Sequence, residues 1–435
     1  MAPILIYLTV MHKNAPALLI LISALCFIGA SIVPGNFTDK SLQWCRSTNL
    51  WGFPIHENGT IIYDSTKTQP GINLLDNMLC CIMMDMNGKV LKYFPIGLAN
   101  FLPDGSIVGK VDTFLVKTDS DLNIIWKTPA LVHHDIKVGD DGRVYVISTE
   151  KRPLLHQMVR FDVIEIFSPE GNLLYKWGTW EHLDDFLTII SKSSLKQQLK
   201  LPFSPALGAE KYISQNPKLF LYQDRTTFFG KPDDLEFSHF NSIQVLPDNE
   251  VAKSIPAFKK GNLLLSFNYY HCFGILDIST SKIIWAGYLP DSLYVNDSTN
   301  NPYYHERDLQ VLHTPLLTDK GTILAYLNTT HNRPFSSITE FNPITGQPVW
   351  EYTASPRQKM SSTFKGAAEK LANGNILVTD ISKGGRCFEL TPQKEIVWDW
   401  ACPLRDEDDS LPWEFYRSHR LNEDLCQKFL TGFRQ

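Results

Sequence analysis

Leu312-His313-Thr314-Pro315-Leu316-Leu317, followed by Thr318-Asp319-Lys320-Gly321-Thr322-Ile323-Leu324, sets a histidine eight residues ahead of a turn glycine, just before a short apolar strand. Two other stretches place a histidine at the same point of the same unit. One is His133-His134-Asp135-Ile136, with Gly142 eight residues after His134; the other is His239-Phe240-Asn241-Ser242-Ile243, ahead of Pro247-Asp248-Asn249. Residues at one phase of a repeated unit meet in space when the repeats close into a ring, so the repeat is the first thing to establish.

Working outward, two half-units alternate from Cys80 onward. The first is strand, polar turn, strand, usually ending in an aromatic, as in Thr118-Asp119-Ser120-Asp121-Leu122-Asn123-Ile124-Ile125-Trp126. It recurs around Asn87-Gly88, Glu170-Gly171, Thr280-Ser281, Thr345-Gly346 and Gln393-Lys394. β-rich runs around a tight polar turn are a hairpin signal. The second half-unit is turn, glycine, apolar strand, at Gly105, Gly142, Gly261, Gly321 and Gly374. Together they make an antiparallel four-stranded unit of roughly 40–50 residues, the size of a propeller blade. The expected fold is all-β, a six-bladed β-propeller over residues 80–435, with an insertion at about 181–235. A short helix is expected to begin within His182–Leu187, and the tail from Leu411 to Gln435 is expected to help close the ring.

Residues 35–79 read as a lead-in segment and 1–34 as a hydrophobic helix, because Ala15–Val33 is an unbroken apolar run of 19 residues. That is long enough to span a bilayer. His12 and Lys13 before it orient the bulk of the chain to the non-cytoplasmic side, the periplasm in a bacterium. A cleaved signal peptide is the competing reading. The net charge of −5, with no basic block, argues against nucleic acid. The 8 cysteines show no CxxC or zinc-type spacing, and most read as small buried apolar residues. Sequons stand at Asn36, Asn58, Asn296 and Asn328.

In a propeller the innermost strands line the axis, so their starts share one mouth of the channel. Counting eight back from the turn glycine gives the slot Gly97, His134, His239, His313 and Gly366, His239 being placed by the Ser242–Val245 run. The chain has only 12 histidines, so three in one slot points to a shared site. Converging imidazoles suit covalent catalysis with stabilisation of developing oxyanion charge, or ligation of a metal such as zinc. Asp135 is a candidate orienting group beside His134.

The blade pattern and slot histidines, with Ala372-Asn373-Gly374-Asn375-Ile376-Leu377 and Gly385-Arg386-Cys387-Phe388-Glu389-Leu390-Thr391-Pro392, resemble the bacterial arylsulfotransferase family that is independent of a nucleotide sulfate donor. The resemblance covers roughly residues 80–420. It implies an exported six-bladed enzyme that moves a sulfuryl group from a phenolic sulfate ester to a phenolic acceptor through a sulfohistidine, with no cofactor and no metal. Residue by residue, it implies His313 as nucleophile, His239 as sulfate ligand and His134 as the third catalytic histidine. Asn241 falls in the His-x-Asn-Ser element, and Asn268 stands where the family carries an arginine. Asparagine donates a hydrogen bond but no charge. Arg386, Arg417 or Arg420 is expected to supply it, and Arg386 and Arg420 are taken as substrate-binding. Two other readings stay open: a lyase or hydrolase with zinc on His134, His239 and His313, and a non-catalytic binding propeller.

Overall fold

A computed structural model of the chain describes residues 59–190, 208–215, 217, 221–223, 235–270, 272–288, 312–329, 334–362, 364–381, 384–403 and 414–430. These residues build six antiparallel sheets. Five blades run in chain order from the axis outward. Blade 2 starts with the strand Gly97–Phe101, blade 3 with Val132–Val138, blade 4 with Phe240–Val245, blade 5 with Leu312–Leu317 and blade 6 with Ala367–Lys370. Blade 1 is composite. Its innermost strand is the C-terminal Arg417–Leu421, paired with Ile72–Asp76, then Cys81–Met84 and Val90–Phe94. This closure explains why the sequence carries six outer hairpins but five inner turns. The sixth inner pairing joins the two ends of the ring.

Residues read as a lead-in are thus partly blade. Thr60–Tyr63 pairs with Ile396–Ala401 as a fifth strand of blade 6, and Ile72–Asp76 is the second strand of blade 1. The apolar run Ala15–Val33 lies outside the described residues; among those described, no helix is long and apolar enough to cross a membrane. Asn36, Asn58 and Asn296 also lie outside. Asn328 is buried, and its amide donates to the carbonyls of Ser362 and Lys365, which leaves no room for a glycan. Among the described cysteines none is in a disulfide, and all are buried except the half-buried Cys402.

The repeated polar residue that opens each outer turn has a physical role. Asp85, Asp119, Asp277 and Asn342 accept hydrogen bonds from backbone N–H groups two or more residues on, while Ser168 and Thr391 do so through a hydroxyl. These are side chains mimicking a backbone turn. The aromatic that ends the unit ties one blade to the next. The indole N–H groups of Trp126, Trp177, Trp350 and Trp398 donate to the carbonyls of Pro169, Ser281, Pro392 and Met86, at 2.8–3.0 Å. In blade 1, Lys92 reaches the Ser120 carbonyl of blade 2 at 3.5 Å. Among the described residues the insertion carries two helices, Leu183–Ile190 and Ala209–Gln215. It returns along blade 3 through Leu235–Glu236, which runs parallel to the third strand, Gln157–Phe167.

The starts of the innermost strands are irregular where the site will lie. In blades 2, 4 and 5 the pairing slips between Gly97 and Asn100, Phe240 and Ile243, and His313 and Leu316; in blade 3 it slips opposite His133 to Asp135. The slips in blades 2, 3 and 5 each carry a left-handed residue, Leu98 (φ 52°), His134 (φ 66°) and Thr314 (φ 51°), and in blade 4 His239 (φ 54°) stands just before the slip. Bulges of this kind re-aim a side chain. Positive φ is uncommon outside glycine, and a β-branched threonine there is an outlier that functional sites tolerate.

Candidate functional site

The histidine cluster lies where blades 3 and 4 adjoin. Ring centroids are 3.9 Å apart for His133 and His134, 4.5 Å for His134 and His239, and 5.2 Å for His133 and His239. The bulge lets the adjacent residues His133 and His134 both reach the cluster, where a regular strand would send them to opposite faces. His239 arrives by a different register from the one its sequence position suggests. Leu246 makes the turn hydrogen bond to Asn262 that Leu102 makes to Ser106, so Asn241 is the strand equivalent of Gly97 and His239 precedes the slot by two residues. The left-handed turn at His239 offsets that difference.

Behind the rings stands a buried charge network. His239 Nδ1 is 2.9 Å from Glu236 Oε2, which also accepts the Tyr269 hydroxyl at 2.9 Å and lies 3.2 Å from Arg160. The Tyr269 ring stacks on His239 at 4.8 Å. His133 Nδ1 is 3.4 Å from Asp162, whose other oxygen accepts from the Ser238 hydroxyl and the Phe240 amide. Burial works against charge on His239, but the Glu236 carboxylate outweighs it and holds the ring above its ordinary 6.5. Burial likewise opposes charge on Glu236, yet His239, Arg160 and His133 together hold it well below its ordinary 4.5. His133 goes the other way: burial dominates, and its ring titrates below 6.5 despite Asp162. Beside the cluster, burial pushes the Lys110 amine down to about 8. That amine donates to the carbonyl of Val132, next to His133.

His134 faces Tyr416, 5.6 Å between ring centres, and the Tyr416 hydroxyl donates to the Asn241 carbonyl. Arg417 donates to the same carbonyl and to Asp135, both at 2.6 Å. Asp135 therefore holds Arg417 and the Ile243 amide rather than orienting His134. Arg417 and Asp135 also line an axial cavity of about 270 Å³, which runs along the inner strands with Asp76, Lys137, Glu369 and His419 on its wall. His419 Nδ1 lies 2.6 Å from Glu369 there.

The expected site residues divide. His134, His239 and Asn241 come together at the inner ends of blades 3 and 4, and the backbone N–H of Asn268 donates to the His239 carbonyl. Thr314 lies in the innermost strand of blade 5 with its hydroxyl buried. His313 lies in that strand, but its side chain is outside the described residues. Arg386 and Arg420 are held elsewhere. Arg386 makes a two-point pair with Asp399, at 2.8 and 2.7 Å, in the outer half of blade 6. Arg420 is bound to Glu389, Asn73 and the Gln69 carbonyl at the ring closure. Arg417 is the arginine of the three that reaches the histidine end.

Buried polar atoms without a hydrogen-bond partner among the described residues gather here: both amide atoms of Asn241 and of Asn268, and the hydroxyls of Ser242, Ser266 and Thr314. Such atoms are rare and costly unless a ligand answers them. Sequence reasoning missed Glu236, Arg160, Asp162 and His133 as members of the network. Arg160 and Asp162 were legible as charges two apart in the otherwise apolar run Val159–Ile164. A buried strand carries such charges only if they are paired. Glu236 had no such signal, because the fold of the insertion brings it in.

A family model described as Arylsulfotransferase (ASST) matches residues 114–402. The chain belongs to the arylsulfotransferase family. The matched span holds His133, His134, Glu236, His239, Asn268 and His313; the closing strand with Arg417 and Arg420 follows it. Comparison with curated proteins finds no match. Among solved structures, a protein of unknown function from Bacteroides caccae is 10% identical, with a TM-score of 0.44 over 80% of this chain and 98% of its own. The Pan2 WD40 domain of Neurospora crassa is 11% identical, with a TM-score of 0.35 over 82% and 86%. BamB of Moraxella catarrhalis is 12% identical, with a TM-score of 0.32 over 83% and 88%. At these values none of the three bears on the function of this chain.

Proposed function

We propose that this protein transfers a sulfuryl group from a phenolic sulfate ester to a phenolic acceptor through a histidine. In this reading a ring nitrogen of His313 attacks sulfur, the aryl S–O bond breaks and the phenolate leaves. The acceptor phenol oxygen then attacks sulfur, the N–S bond breaks, and the phenolic proton passes to a base. His239, charged through Glu236, and His134 face the sulfuryl oxygens; the amides of Asn241 and Asn268 donate to them. Donors aimed at oxygens that gain charge are the largest single source of such catalysis. With Asn268 at the family's arginine position, the charge comes from His239 and, behind it, Arg160.

The observation that carries this reading is the group of unanswered amide and hydroxyl atoms on Asn241, Ser242, Ser266, Asn268 and Thr314, next to a histidine held above its ordinary pKa. A polar, anionic ligand answers both features. As part of the same proposal, Ala15–Val33 tethers the propeller on the non-cytoplasmic side, supported by the run's hydropathy and the basic residues before it. The test is incubation of the full chain with 4-nitrophenyl sulfate, with and without phenol, followed by peptide mapping. The expected result is phenol-dependent release of 4-nitrophenolate and an acid-labile sulfuryl adduct on the peptide that contains His313. Release no faster than in buffer, or unchanged transfer by His313→Ala, overturns the proposal.

A further inference from the structure

Three imidazoles and two carboxylates converge where blades 3 and 4 adjoin. One ring nitrogen each from His133, His134 and His239 lie within 4.8 Å of one another, and His133, Asp162 and Glu236 form a second grouping within the same span. The two carboxylates occupy particular positions. Asp162 faces Nδ1 of His133, and Glu236 faces Nδ1 of His239. A carboxylate on Nδ1 fixes the ring plane and tautomer and makes Nε2 the ligating nitrogen, the pattern that supports histidines on a metal. Three imidazoles with one open position suit a zinc-class ion; oxygen-rich sets select calcium or magnesium instead.

We infer that His133, His134 and His239 bind one divalent transition-metal ion of the zinc class, with Asp162 and Glu236 orienting two of the ligands. The set differs from the His134, His239 and His313 grouping suggested by strand phase, because the bulge at His134 brings in His133 and the side chain of His313 is not needed. Loaded, the site presents a divalent positive charge at the mouth of the axis, with one coordination position open to an oxygen ligand. The inference goes beyond the sulfuryl-transfer reading and does not require it: with metal bound, His239 is a neutral ligand and the ion, not a protonated ring, supplies the positive charge, and the test reads metal and not transfer.

Untagged full-length protein, stripped with a chelator, is titrated with zinc chloride and, separately, with cobalt(II) chloride. The expected result is one zinc per chain and a cobalt absorption band typical of four- or five-coordinate nitrogen ligation. His134→Gln, which leaves both orienting carboxylates with their histidines, removes the cobalt band. Glu236→Gln, with circular dichroism unchanged, weakens zinc binding by about 10–100-fold. His313→Ala keeps both zinc and the band. Cobalt that stays octahedral, or a zinc affinity unchanged by His134→Gln, overturns the inference. So does loss of zinc in His313→Ala while His134→Gln still binds it.

Discussion

Arg420 at the ring closure and Asn268 beside the histidine cluster are both buried polar side chains, and they are treated in opposite ways. The Arg420 head meets the Glu389 carboxylate and the Asn73 amide oxygen. Arg386 meets Asp399 on two oxygens. The Asn268 amide meets nothing among the described residues, nor does that of Asn241. Buried charge at the closure holds two chain ends in one register. Buried polarity at the inner ends of blades 4 and 5 is kept at a cost to folding, which is what a binding site requires.

The sharpest way to break this comparison is Arg420→Leu. It strands Glu389 in a side-chain environment with no exposure and should cost about 3–5 kcal/mol. Urea denaturation measures it, and transfer per folded molecule should be unaltered. Gly97→Ala comes next. Gly97 holds the slot that His134 holds in blade 3, but an added Cβ would lie 2.0 Å from the Met78 carbonyl oxygen. Overpacking there should cost about 1–3 kcal/mol in the same assay. The slot is therefore glycine in blade 2 because neighbouring backbone crowds it, and in blade 6, where Gly366 has φ 96°, because the Tyr326 ring does.

A third test uses pH. Glu236 titrates below its unfolded value of 4.5, so its contribution is present above that pH and is lost as pH falls through the folded value. His239 titrates above its unfolded value of 6.5, so its contribution is full below 6.5 and is lost as pH rises through the folded value. The stability difference between wild type and Glu236→Gln should therefore be largest between pH 4.5 and 6.5 and shrink on both sides, as thermal melts across pH would record. A difference that grows steadily to alkaline pH would break the assignment of the ion pair. The smallest effect belongs to the blade latches. Trp350→Phe removes the donor to Pro392 and should cost about 0.5–1.5 kcal/mol, with no effect on transfer.

How much of this was readable beforehand follows from what repeats. The outer hairpins at Asp119, Ser168, Asp277, Asn342 and Thr391 repeat because each blade needs the same turn and the same tie to its neighbour. They were legible to the residue, and the count of six blades followed. The site was legible only by phase. His134 was found that way, and Arg417 stood among three arginines with nothing in sequence to separate it. Its selection depends on Asp135 and the Asn241 carbonyl, which only the closed ring brings to it. Glu236 was hidden because its position depends on how the insertion folds back along blade 3, and His133 because a regular strand would have turned it away.

The account rests on the claim that unanswered polar atoms at the inner ends of blades 4 and 5 are there for a sulfuryl group. Asn268→Leu tests it most directly, by kcat/KM for transfer from 4-nitrophenyl sulfate to phenol measured beside the melting temperature. The account predicts a fall of about 10²–10³ in kcat/KM with a melting temperature equal to or above that of wild type. Wild-type transfer by Asn268→Leu would contradict it.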